Sequence, residues 1–472
     1  MIVGFLLLSV SVSVHARINT ANGNNFEQTR DLSYNTPFEN GLPFTRYYNS
    51  RSARETAMGF GWAHNYDLAL TPGFSGDPLL VKILGPTGRG YYFEDYDRDG
   101  TFVSHFSKKS TVVPDAQGRY VWTRPDGMVY LFSQEGRLLS ITDKNGNQQT
   151  LSYDTDNSLE TVTDQASGRM LTLHYNADGR IDFIAGPVTP AVPDGIWVSY
   201  LYDGSGNLAR VTYSDGNNGS PASGFEYRYE DPEDPHNLTA VLDLSGTLIS
   251  EWAYDDMDRA VSFSRSRGTS SVFDYSDPDR VQVTDSYGIT STHTIEAVAG
   301  RRKVTHTSRS GGCSACASGI QAGAYDPDTG NLIQREYFNS RVDRFLDYDD
   351  TDNPRTIIRA AGTPEEITRT ISWHPGLSVP LTITVSSLFA DASNPGRTRV
   401  TIHDYDDPSD PSDTDAPNEN PTGRIYRVIE QGYTLGSSGS AVPYEYISQY
   451  AYTSAGQILS MDGPLPGTFD TI

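Results

Sequence analysis

Tyr202-Asp203-Gly204-Ser205-Gly206-Asn207-Leu208-Ala209-Arg210-Val211-Thr212 decides the fold. An aromatic residue and an aspartate lead into a glycine turn, and a run of Leu and β-branched residues leads out. Asp-x-x-Gly supplies the positive φ that a tight hairpin turn demands, and alternating apolar residues suit a half-buried strand. The unit recurs as Tyr153-Asp154, Tyr175-Asn176 with Gly179-Arg180, Tyr254-Asp255 with Asp258-Arg259, and Tyr275 with Asp279-Arg280. It returns as Tyr325-Asp326 with Gly330-Asn331, Tyr348-Asp349 with Asp352-Asn353, and Tyr452 with Gly456-Gln457. Anchors at 153, 175, 202, 229, 254 and 275 are spaced 21 to 27 residues apart, and the rhythm continues through 325 and 348 to Trp373. A period of that length marks a repeat array.

One hairpin cannot bury its apolar face alone, so the copies must share a continuous sheet. Each anchor ring is expected to cover a neighbouring strand with its hydroxyl in water. The arginine after the turn is expected to reach an Asp or Glu on the next strand, a task its planar fork suits. Two stretches break the rhythm as loops: the Pro-rich 186–195 and the acidic, Pro-rich 404–421.

Composition follows from the unit. The 472 residues hold 43 Gly, 27 Pro and 29 Tyr, and all but five of the 36 cations are arginine. The expected fold class is all-β. Sixty acids against 36 cations give a formal charge of −24, which disfavours nucleic acid and anionic lipid and favours divalent cations.

Residues 2–14 are almost wholly apolar or small and lead to Val14-His15-Ala16, a small-x-Ala pattern. A signal peptide over 1–16 is expected, and hence export, although no Lys or Arg follows Met1. No other window is long and apolar enough for a membrane span. Cys313 and Cys316 are the two cysteines. With no further ligands at zinc spacing, a disulfide across their small Gly/Ser loop is the expectation.

The copies resemble the YD repeats of the Rhs (rearrangement hot spot) family, also found in insecticidal toxin-complex C components and in teneurin shells. Gly41-Leu42-Pro43-Phe44-Thr45-Arg46-Tyr47-Tyr48-Asn49-Ser50 and Gly59-Phe60-Gly61-Trp62-Ala63-His64-Asn65-Tyr66 look like the domain that precedes the repeats in bacterial members. The resemblance implies an N-terminal β domain over 17–130. It implies a YD array of about a dozen copies over 131–472, in a long curved sheet that forms part of an open β-shell. In that family the shell often encloses a toxic C-terminal polypeptide. The family's C-terminal core and toxin are not seen after residue 460, so a truncated product is expected, whose partner would be a toxin polypeptide or a missing shell segment.

Catalytic signatures are absent from the sequence: no HExxH, P-loop, nucleophile elbow or GxGxxG. Asp328-Thr329-Gly330 spells an aspartic-protease triplet, but the repeat explains it as a turn. No enzyme and no cofactor are expected, and His64 is assigned a structural, hydrogen-bonding role. The candidate metal ligands are Asp95, Asp97 and Asp99, in an Asp-x-Asp-x-Asp-Gly run able to wrap Ca²⁺. Phe106 stands where an EF-hand needs its bidentate glutamate, so this is no EF-hand. Asp347, Asp349 and Asp352 form a weaker candidate. The functional expectation is a non-enzymatic shell protein for encapsulating or delivering a toxin. The alternative is a surface adhesin that binds carbohydrate through Tyr-rich faces.

Overall fold

The computed structural model describes residues 17–104, 107–188, 195–214, 221–266, 268–310, 319–387, 398–406, 423–435 and 440–465. Among them no α-helix occurs. The chain forms a four-stranded N-terminal sheet, a two-stranded hairpin and an antiparallel ribbon of 32 strands.

Along the ribbon, from Ala69–Pro72 to Ile458–Asp462, each strand pairs with its neighbours in sequence. First and last strands share no ladder among the described residues, so the ribbon is open, as the family resemblance implies. The ladder does not break at residue 130, which lies inside the strand Val129–Phe132. The head of the ribbon curls so tightly that Ala69 bridges to Arg137, at the start of its eighth strand, Leu138–Thr142. There Leu70 donates its N–H to Gly136 O at 2.9 Å.

The repeat turns follow one plan. In Asp203–Asn207, the Asp203 N–H donates to Asn207 O and the Gly206 N–H to Asp203 O. Asp203 Oδ1 accepts the N–H groups of Ser205 and Asn207 at 2.9 Å each. The same pattern recurs at Asp154, Asn176, Asp255 and Asp349. The fourth turn residue adopts positive φ, whether Gly206 (84°), Asn157 (66°) or Asp258 (56°). A one-residue register shift falls immediately before the anchor at Tyr153, Tyr175, Tyr202 and Tyr254. This is the extra residue of a bulged hairpin loop, which bends and twists the strand.

The bulge points each anchor along the ribbon, and its hydroxyl does not stay in water. Tyr153 donates to Leu138 O, Tyr175 to Leu159 O, Tyr202 to Ile181 O, Tyr229 to Leu208 O and Tyr254 to Leu238 O, all within 2.7–2.9 Å. Tyr348, Tyr405 and Tyr452 repeat the bond to Leu332, Pro380 and Ile425, and Trp373 makes it through Nε1 to Pro354 O. Three of the turn arginines depart from expectation as well. Arg137, Arg180 and Arg259 lie over the rings of the following anchors, Tyr153, Tyr202 and Tyr275, at 5.6, 5.7 and 4.8 Å. The carboxylates they do meet lie on their own turns, Asp255 for Arg259 and Glu135 for Arg137, or on the N-terminal hairpin, Glu55 for Arg180 at 2.7 Å. Ring stacking wins because the bulge brings the next anchor under the guanidinium, where a cation–π contact and the buried alkyl stem add together.

Two residues before each anchor, the ribbon's inward face carries a buried residue: Leu151, Leu173, Tyr200, Tyr227, Trp252 and Phe273. The main core runs from Leu32 to Trp252, where the N-terminal sheet lies on that face. Past residue 310 both faces are mostly half-exposed; every residue of Pro380–Ser387 is intermediate. The ribbon also returns on itself. Ser378 donates its N–H to Pro125 O, Lys109 Nζ reaches His374 O, and Arg424 bonds Asn145. Positions about 250 to 280 residues apart thus meet.

Candidate functional site

The N-terminal sheet consists of Arg17–Asn19, Asn24–Tyr34, Leu42–Asn49 and Trp62–His64. Alternation along Asn24–Tyr34 puts Asn25, Glu27, Thr29 and Asp31 on one side, all at most 2% exposed. A wholly polar buried strand face is unusual, because each group needs a partner once water is gone. Asp31 has four bonds. Arg46 Nε lies 3.0 and 2.8 Å from its two oxygens, Tyr213 donates to Oδ1 at 2.6 Å, and Tyr200 donates to Oδ2 at 2.9 Å. The guanidinium sits 5.1 Å from the ring centres of both Trp62 and Tyr227.

Burial alone would lower the Arg46 pKa, yet Asp31 and the surrounding phenols hold it well above the usual value. Burial, then the Asp31 charge, pushes Tyr200 and Tyr213 well above an ordinary phenol. Arg46 and the two phenols therefore keep their protons near neutrality. The arrangement joins two sheets and offers no acid–base pair.

Around this pair the sheet is pinned to ribbon strands far away in sequence. Tyr48 OH donates to His236 O and accepts from the Leu238 N–H; Trp62 Nε1 donates to Tyr229 OH, and Asn25 Nδ2 to Tyr254 OH. Two anchors thus serve both the repeat bond and the docked sheet. The alternation of Asn25, Glu27, Thr29 and Asp31 was a legible sequence signal for this face. The partners Tyr200 and Tyr213 stood in the repeat with nothing to single them out.

His64 is buried, with Nδ1 unpartnered among the described residues and its ring 5.1 Å from Phe44 and 6.5 Å from Tyr66. Burial lowers its pKa. Its ring packs within the buried aromatic cluster of the N-terminal sheet.

Asp95, Asp97 and Asp99 do come together: one oxygen from each lies within 4.8 Å of the others. Asp95 already accepts the Asp99 and Gly100 N–H groups at 3.1 Å each, and Asp99 accepts that of Thr101 at 2.7 Å. These bonds build the turn and leave the exposed carboxylates of Asp97 and Asp99 as the groups a hard cation could reach. Asp347, Asp349 and Asp352 do not converge: Asp349 caps its own turn, Asp352 accepts Asn331 Nδ2, and Asp347 accepts Thr356 Oγ1. In the Asp328-Thr329-Gly330 triplet, the Asp328 N–H and Thr329 donate to Asp326 Oδ1. Cys313 and Cys316 lie outside the described residues.

On the outward face of the later ribbon an open groove of about 840 Å³ is lined by Thr384, Ser386, Thr398, Gln431, Tyr433 and Glu445. No helix among the described residues is long and apolar enough to cross a membrane.

Residues 16–93 match a family described as a domain of unknown function, DUF6531. In structure the chain is similar to a Photorhabdus luminescens Tc holotoxin pore, at 11% identity, 95% coverage of this chain, 26% of that one and a TM-score of 0.45. A TcdB2-TccC3 structure without its hypervariable C-terminal region gives 12% identity, coverage of 96% and 27%, and a TM-score of 0.37. A porin-like protein from Bacteroides uniformis gives 12% identity, coverage of 71% and 92%, and a TM-score of 0.14. The chain spans about a quarter of the length of the toxin chains. No curated protein matches it in sequence.

Proposed function

We propose that this chain is a non-enzymatic, exported wall protein, a section of a β-shell whose inward face shelters a polypeptide for delivery as a toxin in bacterial competition. The observation that carries this reading is the open 32-strand ribbon, lined by the N-terminal sheet along its first half and uncovered along its second. A curved sheet that buries ionic and aromatic groups to anchor one end suits containment. The YD resemblance of the repeats supports the same role.

The test appends a protease-sensitive unfolded reporter after Ile472 of the full chain. Cleavage slowed about tenfold relative to the same reporter on a long flexible linker supports sheltering; equal rates overturn it. A hydrolytic activity abolished by one Asp or Glu substitution would overturn the non-enzymatic assignment.

The groove beside Tyr433 favours a second reading as a carbohydrate-binding surface. Hydroxyls, an amide–carboxylate pair (Gln431 Nε2 to Glu445 Oε2, 2.8 Å) and a phenol ring are the groups that sugars use. Glycan-array binding lost in Tyr433→Ala would support it, and an array without signal removes it.

A further inference from the structure

Four residues before the four-bonded Asp31, a second carboxylate has a different environment. Glu27 is 2% exposed and lies on the same buried strand face. Neither of its oxygens accepts a hydrogen bond among the described residues. Around it, Asn25 Oδ1 on its own strand and Arg46 Nη1 on the next are also without a partner. On the ribbon, Ser250 and Trp252 share the inward side of Leu248–Tyr254 with Tyr254, and Ser250 Oγ and Trp252 Nε1 have no partner either.

The charged and titratable groups that act on Glu27 come from every element packed there. Arg46 stands on the adjacent N-terminal strand and Arg265 on ribbon strand Ala260–Arg265; Tyr227 and Tyr254 face it from Pro221–Arg228 and Leu248–Tyr254. Asp31 occupies the same strand, but Arg46 Nε, Tyr200 and Tyr213 are committed to it. An ionised carboxylate sealed from water without a hydrogen bond is costly, and a protonated one is far less so.

We propose that Glu27 is a proton-dependent latch: the N-terminal sheet docks in the curl of the ribbon with Glu27 protonated and loses hold when that proton leaves. Burial raises the Glu27 pKa from 4.5 to about 8, against the opposing pull of Arg265 and then Arg46. The docked state therefore holds the proton more tightly than the released one. Docking is strongest below 4.5 and weakens as pH rises to about 8, beyond which both states are ionised and the loss is complete.

The test is hydrogen exchange of segment 24–34 in the full chain, corrected for intrinsic rates, between pH 5 and pH 9. The opening constant of the wild type is expected to rise about tenfold per pH unit up to roughly pH 8, then level off. Glu27→Gln, which keeps the shape and cannot ionise, is expected to be flat. A flat wild type, or a variant with the wild-type slope, overturns the latch. A second reading needs no variant: the infrared carbonyl band of a carboxylic acid is expected to persist in the wild type at pH 7 and vanish above roughly pH 8. Its absence at pH 7 overturns the proposal.

Discussion

Tyr254 OH donates to Leu238 O at 2.8 Å and accepts from Asn25 Nδ2 at 2.9 Å, so one phenol closes its repeat and holds the N-terminal sheet. Burial raises its pKa far above an ordinary phenol, which keeps it a donor at any physiological pH.

Removing one such hydroxyl tests the repeat bond on its own. Tyr175 bonds Leu159 O and, among the described residues, makes no hydrogen bond to the N-terminal sheet. Tyr175→Phe is expected to cost about 1 kcal/mol, the net worth of a hydrogen bond whose acceptor is left behind. Tyr287→Phe, at a side chain 88% exposed, is the control and should cost nothing. Urea midpoints of both variants check this.

Arg46→Met leaves Asp31 buried with two phenols and no cation. Breaking a buried pair from one side costs about 3–5 kcal/mol, because a charge remains uncompensated. Asp31→Leu combined with Arg46→Met should lose less than Arg46→Met alone. Denaturant titration of the two variants tests the order, and a double variant weaker than the single refutes it.

Gly136 is held by close approach as well as by its φ of 88°: a Cβ there would meet Leu70 O at 1.7 Å. Gly179 has a φ of 76° and nothing within 4 Å of the same position. Gly179→Ala should therefore cost about 1–2 kcal/mol of left-handed strain, and Gly136→Ala substantially more. Faster hydrogen exchange of Ala69–Pro72 in Gly136→Ala alone would locate the damage at the curled head.

Turn aspartates set the acid limit. Hydrogen bonds from Ser245 and Thr247 lower the Asp243 pKa; at Asp255, burial raises it but bonds to Arg259 and the turn amides win and lower it. A lowered folded-state pKa means stability present above the unfolded value of 3.8 and lost as pH falls below it. Unfolding is expected to set in below about pH 4, and Asp255→Asn should flatten part of that slope. Thermal midpoints at pH 3 and pH 6 measure it.

The turn chemistry was legible residue by residue. Asp203, Gly206 and the alternation after Leu208 announced a hairpin because turn type and strand period are local properties, fixed by φ and by side-chain direction. The destinations of Tyr OH and the Arg stems were not, since both depend on a one-residue bulge that redirects a side chain along the sheet.

Repetition of a local unit was enough to determine an all-β ribbon of sequential antiparallel strands. Only the tertiary structure decided that the ribbon's head curls shut through Ala69 and Arg137, and that Asp31 meets Tyr200 and Tyr213. The reason is range: a hairpin is specified by neighbours a few residues apart. The burial of Asp31 and Glu27 is specified by strands some 170 to 240 residues away, brought back by a curvature summed over many small bends.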